Sequence, residues 1–78
     1  MISMNNIVLK NDVICVFVNS TEIIPPQKYK LVFNKNTKEY KTDIKDADEY
    51  DIHKVINHLS NYIKQGIQLP KKDCLAFY

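Results

Sequence analysis

The sequence predicts an α+β fold, a small antiparallel sheet of four to five strands in the order ββββαβ with one amphipathic helix packed on one face. Three observations predict it: one long stretch with helical periodicity, two pairs of strand-like runs joined by short polar turns, and an apolar closing segment beyond Pro70. A small barrel curled on itself and capped by the helix is the alternative arrangement of the same elements. With 78 residues the chain is a single domain, and a chain of this size buries only about 60 % of the surface its unfolded form exposes.

The first two runs, Asn6 to Lys10 and Val13 to Asn19, flank Asn11-Asp12, a pair that tolerates the positive φ of a two-residue hairpin turn. The second run contains six consecutive apolar residues, VICVFV. Successive side chains of a strand face opposite ways, so Ile14, Val16 and Val18 lie on one face and Val13, Cys15 and Phe17 on the other. Both faces of this strand therefore call for cover. One helix supplies it to only one of them.

Ser20 to Gln27 reads as a connection, because Pro25 and Pro26 lack backbone donors and Pro25 keeps Ile24 out of the helical region. Tyr29 to Asn34 then alternates Tyr29, Leu31 and Phe33 against Lys30, Val32 and Asn34, the period of a half-buried strand. A turn at Lys35, Asn36 and Thr37 leads into Lys38 to Thr42, with Tyr40 on the inner face. The last strand is expected at Cys74 to Tyr78.

Asp46 to Gly66 is the helix. Asp46 with Glu49 three residues later has the form of a capping box, Gly66 stands where a left-handed cap belongs, and Lys64 suits the negative end of the helix. Ile52, Val55, Ile56, Leu59 and Ile63 recur at spacings of three and four and form one stripe, with Tyr62 at its margin. Burying each large aliphatic side chain is worth about 1.5–3 kcal/mol, so packing on the sheet decides whether this helix forms.

Composition narrows the function classes. Eleven basic and nine acidic residues leave a net charge of +2, too balanced to imply nucleic-acid or membrane binding by itself. Every basic residue is Lys, and the lack of Arg removes the usual bidentate reader of guanine, phosphate and carboxylate. Cys15 and Cys74 sit in apolar runs without CxxC spacing and with no secretory apolar segment ahead of them, which reads as two buried free thiols in a cytoplasmic protein. No apolar run is long enough to span a membrane.

No catalytic or metal constellation is evident, and neither a catalytic residue nor a cofactor is expected. His53 and His58 are five apart, about 140° around a helix, whereas a helical metal pair needs a spacing of three or four. Asp43, Asp46, Asp48, Glu49 and Asp51 lack the pattern of a calcium loop and suit a helix start. A single Gly leaves no phosphate-cradling loop, and no nucleophile elbow is present.

What remains is surface. Tyr50, His53 and Asn57 on the helix, with Tyr78 at the last strand, are the candidate contacts to a protein partner, Tyr50 because it falls opposite the apolar stripe. The expected function is a non-enzymatic interaction module, a small regulator or inhibitor of the kind encoded by bacteria or their phages. Self-association into a homodimer, through the second sheet face or the final strand, is the simplest cover the chain can supply alone. The competing reading is weak nucleic-acid binding by a Lys-rich hairpin at 28–45, carried by Lys28, Lys30, Lys35, Lys38 and Lys41 with Tyr29 and Tyr40 interleaved.

Overall fold

The computed structural model describes residues 1–21 and 23–75. Strands β1 (Ile2–Lys10), β2 (Val13–Ser20), β3 (Gln27–Asn34) and β4 (Tyr40–Thr42) precede helix α1 (Glu49–Lys64), and β5 (Asp73–Leu75) follows it. The strands form an antiparallel sheet in the spatial order β4-β3-β2-β1-β5, open at β4 and β5, so the α+β reading holds and the closed barrel does not.

β1 starts at Ile2, four residues before the expected strand. Between the pairs Asn5↔Phe17 and Val8↔Cys15, Asn6 and Ile7 oppose Val16 alone, which is a β-bulge, and Asn6 takes φ 51°. The extra residue resets the alternation, so that Ile2, Met4 and Ile7 all point into the core. The turn at Asn11-Asp12 is as expected, with Asn11 at φ 57°. In the β3–β4 turn the Asn34 side chain accepts the N–H groups of Asn36 (2.8 Å) and Thr37 (3.1 Å), and Lys38 takes φ 68°.

The helix cap lies two residues later than expected. Asp48, not Asp46, is the N-cap, its carboxylate accepting the Asp51 N–H at 3.0 Å. Gln27 decides between them: its Nε2 donates to the Asp46 carbonyl (2.6 Å) and its Oε1 accepts the Asp48 N–H (2.9 Å), which fixes Asp46 outside the helix. At the other end Gly66 has φ 72°, and bonds from Gly66 N–H to the Ile63 carbonyl and from Ile67 N–H to the Tyr62 carbonyl close the paired C-terminal cap.

Ile52, Val55, Ile56 and Leu59 of α1 pack on Ile14, Val16, Val18, Tyr29, Leu31 and Phe33, with Tyr62 and Ile63 at the margin. The helix thus covers one face of the sheet. β5 begins one residue before the expected Cys74, which is exposed while Cys15 is half-buried; the two free thiols are not both buried as expected, because both lie on the face that the helix does not cover. Residues 76–78, including the candidate contact Tyr78, lie outside the described residues.

Candidate interaction surface

The strand registers place the uncovered face row by row. Across β1, β2, β3 and β4 run Val8, Cys15, Val32 and Lys41, and the next rows are Asn5, Phe17, Lys30 and Lys10, Val13, Asn34. A last row joins Cys74, Ser3, Asn19 and Lys28. Of the residues expected to want a lid, Val13 and Phe17 are 40 % and 43 % exposed and Cys15 is half-buried, and Val8 beside them is 54 % exposed, so no lid covers this face among the described residues. Four lysines ring the apolar centre.

Two shallow hollows lie on this face. One of about 380 Å³ surrounds Phe17 and is lined by Asn5, Asn19, Lys28, Lys30 and Asp43. The other, of about 330 Å³, lies by Val13, Val32, Asn34 and Lys41. Asp43 also clips the sheet margin, its carboxylate accepting the Lys30 N–H at 2.9 Å.

The Lys-rich hairpin is not one surface. Alternation sends Tyr29 and Tyr40 to the helix side, where Tyr29 is buried and Tyr40 meets the His53 ring edge to face at 5.7 Å between centroids. The Tyr29 ring is therefore closed to a base, and the Tyr40 ring lies against His53. Lys28, Lys30 and Lys41 share the uncovered face. Lys35 pairs with Asp12 at 3.8 Å, and Lys38 Nζ donates to the Lys35 carbonyl and to Ser60 Oγ, both at 2.8 Å, so these two brace the turn.

Tyr50, His53 and Asn57, spaced by three and four, share an outward helical face on the opposite side of the molecule from the open sheet. Tyr50 is 69 % exposed, and its ring carries Lys54 Nζ at 4.1 Å from the centroid.

Two polar groupings went unread in the sequence. Asp73 Oδ2 lies 2.7 Å from His58 Nε2 and accepts the Tyr62 hydroxyl at 2.7 Å, which ties β5 to the helix. Partial burial pushes the Asp73 carboxyl up, but the bonds from Tyr62, His58 and the Cys74 N–H, with the His58 charge, outweigh it and hold Asp73 below the ordinary carboxylate value. The same bond to Asp73 is the main reason the Tyr62 hydroxyl is raised. The spacing of four between His58 and Tyr62 was the available signal. The second grouping is buried at the helix start: Ser20 Oγ donates to Asp51 Oδ2 at 2.6 Å, and the Tyr29 hydroxyl has no partner among the described residues. Burial, then the charges of Asp51 and Asp48, push the Tyr29 hydroxyl up to about 12.

Compared with known proteins, the chain matches no family model, and no curated protein or solved structure shows significant similarity to it. Among the described residues no cluster of three metal-ligating side chains occurs, and no helix is long and apolar enough to cross a membrane.

Proposed function

We propose that the protein is a non-enzymatic binding module that recognises a partner protein through the uncovered face of its sheet, as a small regulator or inhibitor does. The observation that carries this reading is the contiguous exposure of Val8, Val13 and Phe17 inside a ring of Lys10, Lys28, Lys30 and Lys41. An apolar centre with a charged rim is the anatomy of a protein interface. The lysines favour a partner with an acidic rim over a second copy, because two such faces stacked together set lysines against lysines. A photo-crosslinking phenylalanine analogue at position 17 should trap that protein in the source cell, and the same analogue at Tyr50 should not. Equal yields from the two positions, or none from position 17, would sink the proposal. Lys30→Glu should leave the melting temperature almost unchanged while abolishing capture by the analogue at position 17, since Lys30 is exposed and pairs across from that position.

A second reading, single-stranded nucleic acid, is favoured by Phe17 lying directly across from Lys30 with Lys28 in the neighbouring row, an aromatic platform beside a basic track. With Lys28, Lys30 and Lys41 each neutralising a phosphate, log K should fall against log salt with a slope of about −2. Absence of anisotropy change with labelled oligonucleotides at low salt ends this reading.

A further inference from the structure

We infer that the half of β1 beyond its bulge is a docking edge for an extended, acidic and apolar peptide strand, a site separate from the uncovered sheet face. β5 pairs only with Ile2, Ser3 and Met4. After it the Ile7 N–H reaches the Lys71 carbonyl at 3.1 Å, and among the described residues no bond reaches the outer edge of Val8, Leu9 or Lys10. Pro70 explains why the returning chain does not continue the ladder, since it has no N–H to give. The chain instead stands off from β1 and leaves a groove of about 430 Å³ lined by Ile7, Leu9, Ile63, Ile67, Leu69 and Lys71. That volume lies within the roughly 300–1,000 Å³ of ligand clefts.

An unpaired strand edge beside an apolar groove is the recognition surface for strand addition, in which the main chain supplies hydrogen bonds and alternate side chains enter pockets. Charge selects the ligand. Lys71 lines the groove and no carboxylate is among the lining residues, so an incoming strand with Glu or Asp between its apolar residues is complementary. A second copy fits poorly, because its groove carries the same Lys71 and no carboxylate, so two such edges set lysine against lysine.

The test uses the full chain and a set of labelled peptides of about seven residues that alternate Glu with Val, Ile, Leu or Phe. At least one should bind saturably by fluorescence anisotropy, with amide shifts centred on Val8 to Lys10. Replacing Glu by Lys in that peptide, or N-methylating alternate residues, should weaken binding at least tenfold. Ile67→Lys and, as a milder variant, Ile67→Ser should do the same; Ile67 is 49 % exposed, so both should keep the parent circular dichroism. Phe17→Ala should bind the peptide normally, which separates this site from the sheet face. The inference is overturned by no saturable binding of any peptide, by indifference to Ile67 replacement or N-methylation, or by shifts centred on Phe17 and Lys30. Self-association of the free chain that Ile67→Lys abolishes would make a second copy the occupant and overturn it too.

Discussion

The Ser20 hydroxyl donates to the Asp51 carboxylate at 2.6 Å inside the protein, joining the last residue of β2 to the first turn of the helix. Both residues are buried. A carboxylate taken out of water persists only where donors and a favourable field replace hydration, and the positive end of the helix supplies the field. This bond ties the first turn of the helix to the end of β2.

Ser20→Ala removes a donor to a buried charge and should cost about 1.5–3 kcal/mol. For a domain of this size, each kcal/mol lowers the melting temperature by about 4–8 °C. Urea unfolding of Ser20→Ala, Asp51→Ala and the double variant isolates the coupling between them. A loss within about 0.5 kcal/mol for Ser20→Ala would show that the hydroxyl is replaceable by other contacts.

Asp48→Ala should destabilise by about 1 kcal/mol through loss of the N-cap, whereas Asp46→Ala should be nearly neutral because Gln27 holds the Asp46 backbone carbonyl rather than its side chain. Helical circular dichroism across a urea series compares the two. The reverse ranking would put the helix start back at Asp46.

Tyr29 gives the fold an alkaline limit. Its folded-state pKa is raised to about 12, so the stability it contributes is complete below the unfolded value near 10 and is lost as pH climbs between the two. Tyr29→Phe deletes a buried hydroxyl that has no partner among the described residues and should leave neutral-pH stability equal or higher while flattening the fall above about pH 10. Melting temperatures from pH 8 to 12 show it. An unchanged alkaline slope in the variant would contradict this assignment.

Asp73 gives the acid limit, with the opposite sign. Its pKa is lowered from 3.8, so its contribution is present above that value and is lost as pH falls through the folded-state pKa. Asp73→Asn should flatten the acid limb and raise amide exchange in Ile2 to Met4, the β1 residues that β5 covers. Wild-type exchange rates in the variant would mean that β5 is held by its strand pairing alone.

The helix stripe and the two faces of VICVFV were legible because each rests on a local period, which the backbone enforces residue by residue. The start of β1 was hidden because the bulge at Asn6 and Ile7 breaks that period. The helix cap was ambiguous locally, since Asp46 with Glu49 and Asp48 with Asp51 both have a cap's spacing. A residue 21 positions earlier than Asp48, Gln27, decides it. The lysines of 28–45 formed a cluster in sequence that alternation and turn geometry divide, sending Tyr29 and Tyr40 down and tying Lys35 and Lys38 to Asp12 and Ser60. His58 and Asp73 meet only through the return of β5.

The pairing of Ile2 with Leu75 closes the sheet across nearly the whole chain, while β1 to β4 meet through short local connections. Hairpins and helices form in microseconds, whereas a contact of such long sequence separation must first overcome the entropy of closing a large loop. With three residue pairs and the Asp73 bonds to His58 and Tyr62 to reward it, β5 should dock last and open first. During that interval β1 is a bare edge from end to end, so the yield of refolded monomer should fall as the refolding concentration rises.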